Sequence, residues 1–496
     1  MRYSYSILLL IIFVSFQSCY KEELIYNAEV DKNFEIPFIL RINGKACVYD
    51  HTEKSLRCSI DSSSINNFEP IVDFQLYSDI SFEGNKLING AKNNLGKIEF
   101  GKTYKIEVFS SNKHQELTLV FTNLPTVQII TKNSVFDEPK TTAKITVNYP
   151  ELEKESDVEF IGIEYRGATS QKYPKKSFGF SVRGAKGLSQ NIASSFFEFE
   201  SANEWILDAM WVDKGRIRNK TAFEVWNKIN QNEQQTVGSK LVELYINNNF
   251  QGLYAFNEKM NAERLSLNNQ GAVLYKAVEW EGGATRFETY ENNATINSYW
   301  SGWEQEYPDP RIEVNWNPLN ELRALIVNGS NDQFVSRIES LINIDNCIDY
   351  YIFLNLISAN DNTGKNTFLF KKNNQAKFEI IPWDLDGTFG ILWNGNKVGH
   401  KLLLSNNLFD RLLAVKNFNF ASKLKERWTF LRSDILSEIA LKNGFATNFS
   451  PIQKSGILEL ENKKWATYID LTAEKLYLLN WISSRLIFLD AYFDNL

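Results

Sequence analysis

The sequence has 496 residues, of which 43% are hydrophobic and 23% are charged. A chain of this length is expected to fold as about two or three packing units, and its composition excludes a largely disordered or fibrous protein. The 54 Lys and Arg residues are outnumbered by 60 Asp and Glu residues, and no stretch has enough basic side chains to form a nucleic-acid-binding arm. Nucleic acid is therefore not an expected partner.

Residues 1–18 have the pattern of a secretory signal peptide. An apolar run over residues 7–16 follows a short basic start, and the small residue Ser18 stands immediately before Cys19. The run is about half as long as the ~20 residues that a membrane-spanning helix needs, so it predicts export and cleavage. Cys19 takes the place of a lipobox cysteine, which is diacylated after cleavage, although Phe16 and Gln17 differ from the residues usual there.

The residues after Cys19 predict where the mature protein is held. Residues 20–23, Tyr-Lys-Glu-Glu, resemble the tag that carries some Gram-negative lipoproteins to the outer surface, and a solvated linker is the alternative. We expect residues 19–29 to be a lipidated linker and the protein to be an exported lipoprotein of the outer membrane, displayed at the cell surface. Its contact with the membrane is expected to be through the lipid anchor only.

Three further cysteines and three histidines limit the chemistry of the chain. Cys47 and Cys58 are able to pair in an oxidising compartment, but their spacing does not decide whether they do. Cys347 lies in an apolar helical pattern and is predicted to be a core residue. The histidines at positions 51, 114 and 400 are too scattered to form a metal cluster or to activate a nucleophile, which disfavours histidine-based hydrolases.

Short β-rich runs separated by turn residues fill residues 30–123. The runs cover residues 36–42, 71–76, 104–109 and 117–122. Asn43-Gly44 after the first run is a strong hairpin signal. This region is predicted to be a small β-sandwich of the Ig-like kind.

A second domain is predicted over residues 124–490. The β-rich pattern continues at first, helix and strand then alternate, and the last quarter has a helical apolar period. Strands are predicted at residues 127–130, 143–147, 158–165, 177–183, 240–246 and 252–256, and a helix at residues 214–229. The fold class is therefore expected to be α+β with a helical C-terminal lobe.

Residues 361–390 contain the most promising set of chemically active side chains. Residues 345–358 have apolar side chains at helical spacing, so Asp361 is predicted to lie on a loop that leaves a buried helix. Two β runs follow, at residues 366–370 and 377–381. The hairpin that they form is predicted to bring Asp361 and Asp384 to one end of the sheet.

Phosphoryl transfer needs this kind of arrangement. One carboxylate accepts the proton of the attacking hydroxyl group, and further oxygen atoms hold Mg²⁺ on the phosphates. Asp361 and Asn366 have the spacing of the base and the metal-binding asparagine of protein kinases, and Asp384 takes the place of the principal metal ligand. Asp386 is predicted to share metal binding with Asp384, with a turn-forming role as the alternative.

Several ordered segments resemble segments of the CotH kinase family, and the likeness as a whole extends over about residues 124–490. The segments are Tyr165-Arg166-Gly167-Ala168-Thr169-Ser170, Pro174-Lys175-Lys176-Ser177-Phe178, Trp205-Ile206-Leu207, Ile217-Arg218-Asn219, Val242-Glu243-Leu244-Tyr245-Ile246-Asn247 and Pro382-Trp383-Asp384-Leu385-Asp386. The resemblance implies an atypical kinase-like fold that phosphorylates protein serine residues with ATP and Mg²⁺ or Mn²⁺. It also implies that Asp361 and Asp384 are the two essential aspartates. A nucleotide and an exported protein substrate are the expected partners, and a monomer is the expected state.

A lysine on the α- and β-phosphates of ATP is expected in a kinase-like fold. Lys176 fits because it opens a β run behind a glycine-containing turn, and Lys175 is the alternate. Glu258 is a candidate partner for this lysine, and a carboxylate at a helix start is the simpler account of Glu258.

Further candidates for nucleotide binding lie in the segments that carry the resemblance. The kinase loop Gly-x-Gly-x-x-Gly is missing, so Gly167, Thr169 and Ser170, beside Arg166, either cover phosphate through N–H and hydroxyl groups or only form a turn. Arg218 is expected to meet phosphate or acidic side chains, and a surface ion pair on its helix is the alternative.

The alternative function is a catalytically silent, kinase-like surface lipoprotein that captures protein or glycan. ATP is scarce outside the cytoplasm, which keeps this alternative open. Aromatic residues in the polar stretch 279–303 are able to stack on sugars, although core packing is their commoner role: Trp280, Tyr290, Tyr299, Trp300 and Trp303. Intact Asp361, Asn366 and Asp384 favour the enzyme. A two-metal carboxylate hydrolase would need more clustered acids or histidines than the chain has.

Overall fold

The computed structural model describes residues 40–75, 79–110, 113–151, 156–184, 190–230, 232–291 and 297–496. The predicted signal peptide, Cys19 and the lipidated linker lie outside these ranges, so export and lipidation stay predictions. Within the same ranges, no helix is both long enough and apolar enough to cross a membrane. The fold is α+β, as predicted.

The N-terminal part consists of two β-sheets around one core. Its strands are β1 (Leu40–Ile42), β2 (Lys45–Ala46), β3 (Val48–Asp50), β4 (Ser55–Ser59), β5 (Ile71–Phe74), β6 (Asp79–Phe82), β7 (Asn85–Lys86), β8 (Ala91–Lys92), β9 (Thr103–Ser110) and β10 (Lys113–Thr122). One sheet has the order β2-β1-β5-β8 and the other the order β3-β4-β10-β9-β6-β7. Val72 on β5 and Ile106 on β9, both 0% exposed, share the core between the sheets. We refer to this unit as the sandwich, and its assignment to the Ig-like class stays a prediction.

Two local features of the sandwich were indicated by the sequence. Asn43-Gly44 forms the turn between β1 and β2. The φ angles of its two residues are 50° and 76°, as a tight hairpin turn requires. A disulfide joins Cys47 to Cys58 on β4, so the pairing that the spacing left open is present.

Seven strands after the sandwich form a closed barrel. They are β11 (Thr126–Ile130), β12 (Thr141–Asn148), β13 (Asp157–Arg166), β14 (Ser177–Arg183), β15 (Glu204–Asp208), β16 (Ser239–Ile246) and β17 (Asn249–Glu258). The order is β11-β12-β13-β14-β15-β17-β16, and parallel pairing of β11 with β16 closes the ring. The sequence predicted most of these strands but not the closure, because a local alternating pattern does not say which distant strands pair.

Helix α1 (Arg218–Ile229) connects β15 to β16 and starts later than the predicted residue 214. Asp213 explains the difference because its carboxylate accepts hydrogen bonds from the backbone N–H groups of Ile217 and Arg218, both at 2.7 Å. A carboxylate satisfies the free N–H groups at a helix start and interacts favourably with the helix dipole. The residues before Ile217 therefore form the turn that leads into the helix.

The C-terminal half combines one sheet with a set of helices. The sheet has the order β19-β20-β18-β21-β22 and consists of β18 (Val273–Ala277), β19 (Tyr299–Trp300), β20 (Trp303–Tyr307), β21 (Thr367–Lys371) and β22 (Glu379–Pro382). The helices are α2 (Asn317–Asn328), α3 (Asn331–Leu341), α4 (Ile344–Ile357), α5 (Asn407–Ala414), α6 (Phe420–Arg432), α7 (Glu438–Ser455), α8 (Ile457–Trp465) and α9 (Leu471–Asp494). Helices α5 to α9 are the predicted helical C-terminal region.

Helix α4 is the central element of this half. It matches the helix predicted over residues 345–358 to within one residue at each end, but it is buried on nearly all sides. Cys347 is free and 0% exposed, so its prediction as a core residue is confirmed. Because α1, α6, α9 and β22 all pack against α4, its C-terminal end is a fixed starting point for the loop that carries Asp361.

Candidate functional site

The loop that carries Asp361 leaves α4 through a sharp change of backbone direction. Ser358 ends α4 in the left-handed region with a φ of 55°. Asp361 begins a short 3-10 turn that ends at Thr363. The hydroxyl group of Tyr350 on α4 donates a hydrogen bond of 2.8 Å to the carbonyl oxygen of Asn362. The loop is therefore held against the helix that precedes it.

The hairpin of β21 and β22 brings Asn366 and Asp384 to one end of the sheet. Thr367 pairs with Pro382, and one step further out the backbone N–H of Trp383 donates to the Asn366 carbonyl oxygen at 2.9 Å. Asn366 and Asp384 both have a φ of 54°, in a region that few non-glycine residues adopt. Such conformations persist where the surrounding structure enforces them, and they cluster at functional sites.

Asn362 belongs to this site, although the sequence pattern did not indicate it. Its side-chain amide donates hydrogen bonds to the carbonyl oxygens of Asn366 and Trp383 at 2.7 and 2.8 Å. The residue is 3% exposed, so both bonds lie in the interior. Asn362 thus fixes both strand ends of the hairpin to the Asp361 loop. A loop asparagine is usually a turn former, and no local pattern signals this contact.

Asp361, Asp384, Asp386 and Asp208 interact electrostatically at this end of the sheet, and Asp213 adds to the effect on Asp386. Burial, and then the charge of Asp384, raise the pKa of Asp361. Burial and the charge of Asp208 likewise raise the pKa of Asp384. Burial and the charges of Asp384 and Asp208 hold the pKa of Asp386 well above its usual value. Asp208, the last residue of β15, was not predicted as a site residue, although it directly follows a segment that carries the family resemblance.

The carboxylates of the three predicted aspartates are available to a ligand. Among the described residues, no hydrogen bond reaches the carboxylate oxygens of Asp361, Asp384 or Asp386. Asp384 keeps an exposed surface and Asp361 and Asp386 are half-buried, although enough protein lies around each carboxylate for burial to raise its pKa. These oxygens, together with the amide oxygen of Asn366, are the ligand type that Mg²⁺ and Mn²⁺ prefer.

The described part of the chain has no group of three or more His, Cys, Asp or Glu side chains arranged to hold a metal ion. A dedicated metal cage made of these side chains is therefore not the form of the site. Mg²⁺ is commonly bound through one or two carboxylates, with phosphate and water oxygens completing its coordination. Asp384, Asp386 and Asn366 fit a site in which a few protein oxygen atoms share the ion with phosphate and water.

Three basic side chains face the acidic group. The charges of Arg166, Lys276 and Lys365 lower the pKa of Asp384, in that order of effect, and so oppose the rise caused by burial. The guanidinium of Arg166 lies 5.7 Å from the centre of the Trp383 ring. Arg166 is a predicted nucleotide-binding residue that the structure places beside Asp384, whereas Lys276 on β18 and Lys365 were not predicted.

The two lysines predicted to contact the ATP phosphates are engaged elsewhere. Lys176 Nζ donates to two backbone carbonyl oxygens of its own loop, at 2.5 and 2.6 Å. Lys175 is 0% exposed, and burial lowers its pKa to about 8. Its ammonium group donates to the Leu253 carbonyl oxygen at 2.6 Å and to the two carboxylate oxygens of Glu461 at 3.1 and 3.0 Å. All three N–H groups of Lys175 are therefore used inside the protein.

The expected pairing of Glu258 with one of these lysines is wrong. Glu258 is the last residue of β17, so it does not start a helix either. Its carboxylate oxygens accept hydrogen bonds from Arg264 Nη1 and from the backbone N–H of Gly238, both at 2.6 Å. A buried lysine–glutamate pair does exist, but it joins Lys175 to Glu461 on α8.

The remaining nucleotide-binding candidates have structural contacts. Arg218 is 0% exposed and pairs with Asp213 and Glu474, so it meets acidic side chains in the interior and not in a surface ion pair. Gly167 has a φ of 90°, and a Cβ atom there would lie 2.0 Å from Ser170 Oγ. That hydroxyl group donates to a backbone carbonyl oxygen at 3.2 Å. The segment with Thr169 is a tight turn, which was the alternative to a phosphate-covering loop.

Of the five candidate aromatic residues in the stretch 279–303, Trp300 and Trp303 are packed inside the protein and Trp280 and Tyr290 are half-buried. Trp300 and Trp303 are 3% and 1% exposed, whereas Tyr299 is 42% exposed. Trp300 also packs edge-on against Trp316 with ring centres 5.6 Å apart. Core packing is therefore confirmed for the two tryptophans, which are not available to stack on a sugar.

Comparison with known proteins agrees with the geometry of the site. A model of the family described as CotH kinase protein matches residues 163–489. Inner spore coat protein H of Bacillus subtilis (strain 168) is 23% identical over 280 residues, which is 54% of this chain and 70% of that protein. The range matched by the family model begins after the sandwich and contains Arg166, Asp361 and Asp384. The chain belongs to the CotH kinase protein family.

Proposed function

We propose that the chain is an atypical protein kinase that transfers the γ-phosphoryl group of ATP to serine hydroxyl groups of exported proteins. The meeting of Asp361, Asn366 and Asp384 at one end of the hairpin is the observation that carries the proposal. Carboxylates that lack hydrogen-bond donors and raise one another's pKa are unfavourable for folding, and a bound cation removes that cost. Membership of the CotH kinase protein family supports the same function.

Each of the central residues has a proposed role. Asp361 is the base that accepts the proton of the serine hydroxyl group, and its raised pKa makes it a stronger proton acceptor near neutral pH. Asp384, Asn366 and Asp386 hold the divalent cation. When bound, Mg²⁺ or Mn²⁺ neutralises the charge on the phosphate oxygens.

Arg166 and Lys276 take the phosphate-binding role that the sequence assigned to Lys176 or Lys175. Their positive charges act on Asp384, so they face the end of the sheet where the phosphates would lie. An arginine is suited to this task because its planar fork of N–H groups matches phosphate oxygens. Lys175 serves the fold through Glu461.

The proposed enzyme is an exported lipoprotein. Its lipid at Cys19 would hold it to the outer membrane at the cell surface, with the Ig-like sandwich of residues 30–123 before a kinase-like domain of residues 124–490. The relative in Bacillus subtilis is named for the inner spore coat. The proposed substrate is accordingly a protein outside the cytoplasm, and a monomer is sufficient because all the proposed roles fall on one chain.

A phosphoryl-transfer assay tests the proposal. The protein without residues 1–18 is incubated with Mg²⁺, ATP labelled at the γ-phosphate and a serine-rich protein. Asp361→Asn and Asp384→Asn are each expected to reduce transfer by about 10²–10⁴-fold, the usual contribution of a general base or an essential charge. Asp79→Asn, the same change at an exposed position of the sandwich, is expected to leave transfer unchanged. Equal transfer by all four proteins would remove the mechanism.

Calorimetry separates this enzyme from the catalytically silent alternative. Titration of ATP with Mg²⁺ is expected to release heat with the unchanged protein and much less heat with Asp384→Asn. A scaffold that keeps only the fold need show no heat. The burial of Trp300 and Trp303 removes two of the aromatic residues that motivated glycan capture.

A further inference from the structure

Asn219 connects the barrel to the segment that carries the two metal-binding aspartates. It is the second residue of α1 and is 6% exposed. Its Nδ2 atom donates a hydrogen bond of 2.9 Å to Asp208 Oδ2, and its Oδ1 atom accepts one of 3.1 Å from the backbone N–H of Leu385. The orientation of the amide is determined by its partners, because the Asp208 carboxylate accepts and the Leu385 N–H donates.

Asp208 is itself fixed at the end of β15. Its Oδ1 atom accepts a hydrogen bond of 3.0 Å from the backbone N–H of Met210. The hydroxyl group of Ser177, at the start of β14, lies 3.4 Å from the same oxygen as a second donor. Both carboxylate oxygens of Asp208 therefore have protein partners, unlike those of the neighbouring Asp384 and Asp386.

Leu385 is the residue that Asn219, held by Asp208, contacts in the segment with the two aspartates. It lies between Asp384 and Asp386, its side chain is 0% exposed, and Asp384 has a φ of 54°. A non-glycine residue keeps such a φ only where its surroundings hold it. The hydrogen bond from the Leu385 N–H to Asn219 is a contact that holds this backbone from the barrel side.

We propose that Asp208 and Asn219 are a positioning pair for the reaction, acting through the Leu385 N–H to set the two flanking carboxylates against the barrel. The effect on the reaction rests on the proposed function, whereas the hydrogen bonds of the pair do not depend on it. The pair joins β15 and α1 to the hairpin of β21 and β22, so it also sets the distance between Arg166 on β13 and Asp384. Neither member of the pair has to touch the cation or the nucleotide.

Exchanging the two residues is the test. An asparagine at position 208 has only one acceptor atom, so it cannot accept from both Asn219 Nδ2 and the Met210 N–H. Asn219→Asp instead places two carboxylates face to face without a donor between them. Each single change therefore breaks at least one bond of the series. The double variant Asp208→Asn, Asn219→Asp restores every bond, because the amide introduced at position 208 then donates to the carboxylate introduced at position 219, which still accepts from Leu385. Asn227→Asp is the matched control, since Asn227 lies on the same helix and bonds to Val237 instead.

Two measurements follow each variant of the chain. Amide hydrogen exchange of the peptide around Leu385, without nucleotide or metal, is expected to be at least about tenfold faster in both single variants and normal in the double variant and the control. The kcat of phosphoryl transfer is expected to fall at least about tenfold in the single variants and to return to within about threefold in the double variant. KM for the protein substrate is expected to change by less than about twofold throughout.

The outcomes are decisive in both directions. Unchanged exchange in the single variants, or no recovery of exchange in a folded double variant, overturns the pair. Recovery of exchange without recovery of kcat also overturns it, because the Asp208 carboxylate would then act directly. If Asn219→Asp does not fold, Asn219→Ala removes both hydrogen bonds of Asn219, to Asp208 and from Leu385, without adding a charge. If the unchanged protein transfers no phosphate, the proposed function fails, and the exchange data still decide whether the contact exists.

Discussion

Arg57 of the sandwich and Glu243 of the barrel form an ion pair that is buried between the two units. Arg57 Nε and Nη2 donate to the two carboxylate oxygens of Glu243 at 2.6 and 2.7 Å, and the side chains are 4% and 0% exposed. The hydroxyl groups of Thr122 and Tyr245 donate to the same carboxylate at 2.6 and 3.1 Å. Because both units supply these donors, the sandwich is fixed to the barrel.

The first prediction concerns this pair. Glu243→Gln is expected to lower the free energy of unfolding by about 3–5 kcal/mol, because it leaves the Arg57 charge buried without its partner. Urea unfolding followed by circular dichroism measures the change. Lys463 on α8 and Glu53 of the sandwich make a second ion pair, with the Lys463 side chain 68% exposed. Lys463→Ala is therefore expected to cost no more than about 1 kcal/mol. Equal losses in the two variants would contradict the buried character of the first pair.

The meeting of Asn366 and Asp384 was predictable from the sequence because it depends on local structure. Two alternating runs separated by a short polar turn form an antiparallel hairpin, and the outer ends of such a hairpin must lie side by side. The start of the Asp361 loop was predictable as well, since it follows a long apolar helix. The positive φ angles of Asn366 and Asp384 have only a weak sequence signal. Asn and Asp adopt this region more often than other non-glycine residues, but most Asn and Asp residues do not adopt it.

The partners of the basic residues were not predictable in the same way. Lys175 and Glu461 are 286 positions apart in the chain, so their contact depends on how α8 packs on the barrel. No periodic pattern encodes that packing. A lysine–glutamate pair was correctly expected from the sequence, but with the wrong glutamate. The expectation paired Lys176 or Lys175 with Glu258, which lies nearer in the chain. Glu258 pairs with Arg264 instead.

A second prediction concerns the loss of stability caused by the buried carboxylate of Asp386. Asp386 has a raised pKa, so the folded protein holds its proton at pH values where the unfolded chain has lost it. The stability contribution of Asp386 therefore falls as the pH rises above the unfolded value. Asp386→Asn is expected to raise the free energy of unfolding of the metal-free protein by about 1–3 kcal/mol at pH 7. The difference is expected to shrink as the pH falls toward 5, because the unchanged protein then takes up the proton.

Asp309→Asn is the control for that prediction. Hydrogen bonding by Arg311 lowers the pKa of Asp309, so removing its charge is expected to be neutral or slightly destabilising at pH 7. Thermal unfolding with and without Mg²⁺ and ATP completes the measurement. Asp386→Asn is expected to gain less from the added ligand than the unchanged protein does. A destabilised Asp386→Asn in the metal-free state would show that Asp386 has a structural partner.

A third prediction separates the basic residues at the site. Arg166→Met is expected to raise KM for ATP at least about tenfold, because a charge-assisted hydrogen bond contributes about 1.5–3 kcal/mol. Lys176→Met is expected to change KM for ATP by less than about twofold, since its ammonium group bonds to its own loop. Both changes remove one positive charge, so long-range electrostatic effects cancel in the comparison. A larger effect for Lys176→Met would restore the assignment made from the sequence.

The fourth prediction concerns residues 390–402, the segment after Asp386 that α9 contacts. Arg485 on α9 is 0% exposed. Its Nη1 atom donates to the carbonyl oxygens of His400 and Leu402 at 2.6 and 2.7 Å, and its Nε atom donates to that of Asn355 on α4 at 2.8 Å. One side chain therefore ties the segment to α4 and to α9.

Two further side chains of α9 contact the same segment. The Tyr477 hydroxyl group donates to the Gly390 carbonyl oxygen at 2.6 Å, and Trp481 Nε1 donates to that of Val398 at 3.2 Å. In protein kinases the activation loop is ordered by phosphorylation, which creates new arginine contacts. Here α9 supplies the ordering contacts, so we expect activity without modification of the segment.

Arg485→Met tests whether these contacts order the segment. The change leaves buried carbonyl oxygens without donors, each at a cost of about 1–3 kcal/mol, and about 1.4 kcal/mol corresponds to a tenfold larger open population. Trypsin cleavage after Lys397 and Lys401, which lie in the segment, is therefore expected to accelerate at least about tenfold. Lys475→Met, which removes a cation from the same helix, is expected to leave cleavage unchanged.

If Arg485→Met lowers kcat in proportion to the faster cleavage, the ordered segment is required for transfer. Faster cleavage with an unchanged kcat would instead show that the site by Asp384 keeps its geometry without help from α9.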